Sequence, residues 1–219
     1  MFIGHFAVGF AAKPLAPRAS LGTLMTAPLL LDLLWPVFLL LGFEQVRIVP
    51  GDSAFLTLDL YHYPWSHSLL MSVVWGALFA LLYRARTNYM RGAVVVALGV
   101  VSHWVLDYVT HRPDMPLVPG VGIKLGLGLW NSVPATIAVE VAMFGSGLGF
   151  YLRTTRAKDR VGSFALGAFV VLLLLLYIAN AFGPPPPSAE MLRRVGLVVW
   201  LFVPWVYWID RHRELRAAA

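Results

Sequence analysis

The sequence predicts an all-α protein: a polytopic transmembrane bundle of about six helical spans, preceded by a short N-terminal helix that is either re-entrant or interfacial. Two features of the composition predict this fold class, since 59% of the 219 residues are hydrophobic and only 13% are charged. An average soluble domain is about 45–50% apolar and about 25% charged. A soluble monomer, a disordered chain and a coiled coil are therefore excluded. Apolar runs of this extent need lipid to cover them.

The first element is the segment of residues 1–12, which is apolar but too short to cross a membrane. It has no basic region before the apolar run and only a weak cleavage pattern after it, so we do not interpret it as a signal peptide. We expect a short re-entrant or interfacial helix here.

Six further segments are apolar over about the length of a membrane span. They lie at residues 24–42, 66–83, 92–109, 131–152, 163–181 and 195–209. The last one is short, and an earlier start near Met191 is the alternative for it. We treat residues 1–219 as a single integral-membrane domain.

Lys and Arg are distributed unevenly between alternate loops. One side of the predicted membrane carries Lys13, Arg18, Arg84, Arg86, Arg91, Arg153, Arg156, Lys158, Arg160, Arg211, Arg213 and Arg216. The other side carries only Arg47, Arg112, Lys124, Arg193 and Arg194. Because basic residues favour cytoplasmic loops, both termini are predicted to be cytoplasmic. This bias accounts for the net charge of +6, so nucleic acid is not expected as a partner.

Cysteine is absent, which excludes disulfides, thiolate metal sites and a cysteine nucleophile. Ionisable residues inside apolar segments are costly in lipid and usually face a partner inside the bundle. The residues of this kind, within or at the edge of the apolar segments, are His5, Asp32, His62, His67, His103, Asp107, His111 and Glu140. They are the candidates for function.

The spacing of these residues places several of them at one depth. His103 and Asp107 are four residues apart and share a helix face, which His111 would continue. Asp32 and Glu140 lie about ten residues from the outer ends of their helices, or about 15 Å deep. Four helices could thus direct ligands into one pocket in the outer half of the membrane. Mixed His and carboxylate ligands favour zinc, with manganese or iron as alternatives.

Each candidate taken alone also has a structural interpretation. A single intramembrane Asp such as Asp32 can serve as a hydrogen bond between helices or as a proton relay. His103 and Asp107 can form a structural pair, and His62 and His67 can be interfacial side chains. Tyr63 and Trp130, near the predicted span ends, are expected in the aromatic belts of the membrane. The convergence of several candidates favours a shared metal site.

The first 120 residues also carry four short elements in a defined order. They are Gly4-His5, an Asp before a Pro in an apolar run (Asp32, Pro36), His62-Tyr-Pro-Trp-Ser-His67-Ser68, and Ser102-His103-Trp-Val-Leu-Asp107-Tyr-Val-Thr110. Together these elements resemble the membrane-bound, metal-dependent hydrolase family of bacterial inner membranes, some members of which are LexA-regulated. That family is grouped by remote similarity with zinc-dependent phospholipases C and single-strand nucleases.

The resemblance implies a bacterial inner (plasma) membrane protein with metal ligands at His5, Asp32, His67, His103 and Asp107, and with His62 as a further candidate. The family often has a second Asp at the position of Leu34. His111, Asp114 or Glu140 could replace it here.

The function predicted from these residues is hydrolysis of a phosphoester in a lipid or lipid-linked substrate. Glu140 would take the proton from the attacking water, and Arg112 would contact the phosphate. His5 can join the site only if residues 1–12 run from the middle of the membrane towards the cytoplasm. A transporter or proton-coupled carrier that uses the same residues is the alternative, although no inverted repeat is evident. A non-catalytic membrane scaffold is the third hypothesis.

Overall fold

The computed structural model describes residues 1–217 and is mainly helical. Its α-helices are α1 (Ile3–Ala11), α2 (Leu21–Leu40), α3 (Pro64–His67), α4 (Leu69–Thr87), α5 (Met90–Thr110), α6 (Val133–Thr154), α7 (Arg160–Phe182), α8 (Ala189–Gly196) and α9 (Phe202–Arg211). Short 3-10 helices cover Leu129–Asn131 and Leu197–Leu201. The last two residues of the predicted single domain, 218–219, lie outside the described part.

Six helical units are long and apolar enough to cross a membrane, which confirms the predicted all-α bundle. They are α2, α4, α5, α6, α7 and the continuous unit Ala189–Arg211, which joins α8, the second 3-10 helix and α9. This last span starts before the predicted residue 195, in agreement with the earlier start considered near Met191. Residue 66, the predicted start of the second span, instead lies in α3, because Ser68 adopts an extended conformation and caps α4 by accepting from the Met71 N–H.

The strands are short and lie at the two ends of the bundle. They are β1 (Gln45–Ile48), β2 (Leu58–His62), β3 (Met115–Pro116), β4 (Lys124–Leu125), β5 (Thr155–Ala157) and β6 (Arg213–Leu215). β1 pairs with β2, β3 with β4 and β5 with β6, each in antiparallel register. We call the end with β1 to β4 the hairpin end, and the end with β5 and β6 the opposite end.

Helix α1 lies inside the bundle and not along the membrane surface. Seven of its residues are buried, and it packs against α6, α2 and α5. Gly147 of α6 allows the closest approach, because a Cβ atom at this position would collide with the backbone of Ala7. Of the two placements that the sequence left open, the interfacial one is therefore wrong. The start of α1 reaches the interior of the bundle at the level of the ionisable residues.

Candidate metal centre

Four side chains from three segments of the chain converge in the interior of the bundle. Asp32 comes from α2, His67 from α3, and His103 with Asp107 from one face of α5. Asp32 lies eight residues, or about 12 Å, from the hairpin end of its helix, and His103 seven residues, or about 10 Å. Both histidines and Asp107 are buried, whereas the Asp32 side chain is 36% exposed to a cavity that it lines. The centre thus lies in the half of the bundle nearer the hairpin end.

The distances that join His67 and His103 to each other and to the carboxylates of Asp32 and Asp107 are close to the separation of two ligand atoms on one metal ion. The His103 and His67 Nε2 atoms are 3.2 Å apart. Asp32 Oδ1 lies 3.5 Å from His67 Nε2 and 3.7 Å from His103 Nε2. Asp107 Oδ2 lies 3.0 Å from His103 Nε2 and 3.8 Å from His67 Nε2. Tetrahedral zinc with bonds of about 2.0–2.1 Å separates its ligand atoms by about 3.3 Å.

The proton on His103 is fixed by a backbone carbonyl. His103 Nδ1 lies 2.6 Å from the carbonyl oxygen of Pro28. A carbonyl can only accept, so Nδ1 carries the hydrogen. In the neutral ring, Nε2 is then an unprotonated acceptor that faces the other ligand atoms.

His67 is oriented by a chain of side chains that ends at Glu44. Its Nδ1 lies 2.6 Å from Ser66 Oγ, which in turn donates to Glu44 Oε2 at 2.7 Å. With the Ser66 hydroxyl hydrogen used in this way, His67 Nδ1 donates to Ser66 and Nε2 is left as an acceptor. Two acceptor nitrogens therefore face each other at 3.2 Å, next to two carboxylates. Such an arrangement is stable only with a cation or a proton between the acceptors.

Glu44 itself is fully buried beyond the end of α2. Burial raises the pKa of its carboxyl group above the usual value. Three donated hydrogen bonds oppose this shift and favour the ionised form: those from the Ser66 hydroxyl and from the backbone N–H groups of Ser66 and Trp65.

His5 joins the centre from the start of α1. Its Nε2 lies 3.1 Å from Asp107 Oδ1, and its ring stacks on that of His103 with 3.7 Å between the centroids. The N-terminal amine of Met1 also contacts Asp107 Oδ1. His5, His103 and Asp107 form a second group that could hold a metal, besides the group of Asp32, His67 and His103. Asp107 Oδ1 faces His5, and its Oδ2 faces His103 and His67.

His111 lies beside the centre and is paired with a carboxylate. Its Nδ1 is 3.0 Å from Asp114 Oδ1, while its Nε2 is 3.9 Å from Asp107 Oδ2. The Tyr63 hydroxyl donates to the same Asp114 oxygen at 3.0 Å. Burial and the neighbouring Asp114 raise the pKa of Tyr63 well above its usual value, so the phenol remains protonated. His111 is thus held with Nε2 towards the centre.

Glu140 contacts the beginning of α1. Its Oε2 accepts the backbone N–H groups of Phe2 at 2.8 Å and Gly4 at 3.2 Å, which satisfies donors that a helix start leaves free. Its Oε1 is buried without a hydrogen-bond partner among residues 1–217. The structure thus gives Glu140 a positioning contact to the helix that carries His5.

Two other predicted site residues lie away from the centre. Arg112 forms ion pairs with Asp52, Asp59 and Asp114. Although partial burial acts to lower it, these carboxylates raise the pKa of Arg112. The guanidinium is already neutralised and does not line the cavity at the centre. His62 is exposed on β2 and belongs to neither of the two groups that could hold a metal.

Sequence reasoning missed several residues that support the centre. Glu44 and Ser66 carry no signal in the periodicity of the spans, because they meet His67 only through the fold of the loop after α2. The assignment of Tyr63 and Trp130 to aromatic belts is wrong: they are 1% and 9% exposed and pack against His111, with centroid distances of 6.2 and 4.3 Å.

A cavity of about 420 Å³ adjoins the centre. Asp32, His67, Asp107 and His111 form the polar part next to the centre. The remaining wall is mainly apolar and comes from the β1–β2 hairpin, α2, α7 and the last span. Trp35 and Trp130 also line it, and their indole N–H groups have no acceptor among the described residues. The volume falls in the range of small-molecule sites, about 300–1,000 Å³.

The chain was compared with known families. The family described as YdjM inner membrane protein matches residues 1–183. The match includes α1 to α7, and with them every residue of the candidate centre, while the last span lies beyond it. No curated protein and no solved structure matches the chain significantly.

Proposed function

The chain belongs to the YdjM inner membrane protein family and is an integral inner-membrane protein, and we propose from the geometry of its centre that it is a metal-dependent hydrolase. Its substrate would be a phosphoester of a lipid or of a lipid-linked molecule. The single observation that carries this proposal is the 3.2 Å approach of the Nε2 atoms of His67 and His103 beside two carboxylates, while Nδ1 of each ring faces an acceptor.

The donor set fits zinc, and manganese or iron are the alternatives. Asp32, His67, His103 and Asp107 would hold the ion, and His5 with the other oxygen of Asp107 would contribute to a second site. When bound, the metal supplies a Lewis acid that polarises a phosphoryl oxygen and activates a water molecule. His67 and His103 each direct Nδ1 at a fixed acceptor, an arrangement that orients metal ligands in other proteins, whereas His5 Nδ1 has no partner among residues 1–217.

The chain also offers a group that could accept a proton. His111 Nε2 faces the centre, and Asp114 holds the Nδ1–H and would stabilise the imidazolium formed when Nε2 takes a proton. We propose His111 in this role, with Glu140 as the alternative because its Oε1 lacks a partner. Arg112 is left out of the proposed mechanism, since three carboxylates already neutralise it.

Metal analysis tests the proposal directly. We expect protein purified in the presence of zinc, manganese and iron to retain about one or two metal ions per chain, and His103→Ala to lose them. The matched control is His62→Ala, which removes an exposed histidine outside the centre and should leave the metal content unchanged.

A wild-type protein that retains none of the three metals would overturn the metal centre. The hydrolase itself is tested by release of phosphate or of a phosphorylated head group from a panel of lipid phosphoesters. Retention of metal without turnover of any lipid in the panel would instead favour a structural role, and ion transport by reconstituted protein would favour the carrier.

A further inference from the structure

The cavity beside the metal centre opens on one side of the bundle. Of the residues that line it, those with large exposure are Leu176, Asn180, Val195 and Val198. The first two belong to α7, and the last two belong to α8 and the 3-10 helix of the last span. The mouth of the cavity therefore lies between α7 and the last span.

This mouth faces lipid rather than water. Leu176 is six residues from the hairpin end of α7, or about 9 Å, and Asn180 only two residues, or about 3 Å. The mouth thus extends from the level of the helix ends into the apolar zone of a bilayer. Apart from Asn180 its edges are aliphatic, as expected for a surface in contact with acyl chains.

The walls behind the mouth are also apolar up to the polar part of the cavity. Phe202 of α9 and Leu60 of β2 are buried and line the interior. A polar, water-soluble substrate would gain little from such walls, whereas a hydrocarbon chain finds in them an apolar environment similar to that of lipid. A hydrocarbon chain that arrives from the bilayer exchanges its contacts with lipid for contacts with these apolar walls, so the transfer costs little free energy.

We propose that the mouth between α7 and the last span admits the hydrocarbon chain of a membrane amphiphile laterally from the bilayer, with its polar group next to Asp32 and His111. This inference rests on the proposed function for the reaction at the polar group, and it adds the route by which the substrate enters. It also assigns a role to the last span, which lies beyond residues 1–183 of the family match.

The chain offers closely matched variants for a test. Leu176→Trp and Val198→Trp would fill the mouth from its two sides. Leu175→Trp and Leu197→Trp are the controls, because Leu175 and Leu197 are the preceding residues, are also exposed, and do not line the cavity. All four changes place an indole on a lipid-facing helix surface. An effect on folding should therefore be similar in the two mouth variants and the two controls, and would not account for a difference between them.

The measurement is photo-crosslinking in vesicles of phosphatidylethanolamine and phosphatidylglycerol. One arm contains phosphatidylglycerol with a diazirine in its acyl chain, and the other contains a photoreactive isoprenyl phosphate. We expect label on the interior residues Phe202 and Leu60 in the wild type and both controls, and its loss in Leu176→Trp and Val198→Trp. The lipid that labels the interior residues shows whether the cavity admits an acyl chain or an isoprenyl chain.

Absence of interior label in both arms, or equal label in all four variants, would overturn the inference. Labelling requires no turnover, so the route can be confirmed even if no phosphoester is hydrolysed. Metal content should be unchanged in Leu176→Trp and Val198→Trp, which separates failure of the route from failure of the metal centre.

Discussion

The positions of two hydrogen atoms decide what the centre can bind. His103 donates from Nδ1 because the Pro28 carbonyl can only accept, and His67 is fixed through Ser66. Nε2 of each neutral ring is therefore available as a ligand for the proposed metal, but the orientation of His103 depends on a backbone group and that of His67 on a side chain. The Pro28 carbonyl belongs to the backbone and cannot be removed by a side-chain substitution. The Ser66 hydroxyl can be removed, and its removal leaves every proposed ligand in place.

Ser66→Ala should weaken zinc binding by about 10–100-fold, the usual effect of losing an outer contact to a metal-binding histidine. The variant leaves His67 Nδ1 and Glu44 Oε2 without their shared hydroxyl. A competition titration with a fluorescent chelator, on protein in detergent, measures the affinity. The control is Ser102→Ala, next to His103, whose hydroxyl donates only to the Gly99 carbonyl. Equal zinc affinities in the two variants would contradict the role of Ser66.

The residues of the centre differ in how far the sequence could predict them. His103 and Asp107 followed from i,i+4 spacing, and Asp32 from its cost in an apolar segment. Glu44 could not be found in this way, because its contact with Ser66 depends on the path of the loop after α2. His62 matched a motif as well as His67 did, but it precedes the turn into α3 and so points outward on β2.

At the scale of elements, α1 is a helix whose placement in the bundle could not be predicted from residue spacing alone. Its residues are apolar on nearly every side, and a helix of this kind is normally buried rather than interfacial. The approach to α6 requires a small residue at Gly147, where a Cβ would collide with the Ala7 carbonyl. Such a contact depends on two helices far apart in the sequence, so neither helix alone predicts it.

Gly147→Ala should therefore destabilise the bundle by about 1–3 kcal/mol, the usual cost of overpacking a tight contact. Gly145→Ala, on the same helix, is the matched control because a Cβ there meets no atom within 4 Å. Thermal unfolding of the two variants in the same detergent measures the difference. Zinc affinity of the folded proteins is a second readout, since a shift of α1 moves His5. Identical unfolding temperatures would show that the approach of α1 to α6 is looser than described.

At the scale of the whole molecule, the charged residues are segregated along the bundle. Ion pairs such as Lys13 with Asp210 and Arg156 with Glu214 lie at the opposite end, together with most of the basic residues. The centre and its cavity lie nearer the hairpin end. The number of spans could be predicted from composition and length, whereas the cavity could not, because it forms between spans that are separated in the sequence.

The basic residues predict that the opposite end is cytoplasmic, which would place the cavity mouth in the outer leaflet of the inner membrane. Because the chain has no cysteine, single-cysteine variants can test this without a modified background. Ala54→Cys lies in the loop of the β1–β2 hairpin, and Thr87→Cys ends α4 at the opposite end; both positions are exposed.

We expect a membrane-impermeant maleimide, added to intact cells, to label Ala54→Cys and not Thr87→Cys. Inverted membrane vesicles should give the reverse pattern, and detergent-solubilised protein should label at both positions, which controls for reactivity. Labelling of Thr87→Cys in intact cells would show that the opposite end lies outside the cytoplasm and that the predicted orientation is wrong. The proposed metal centre would be unaffected by that result, but the proposed amphiphile would then have to come from the inner leaflet, because the mouth lies within about 9 Å of the hairpin end of α7.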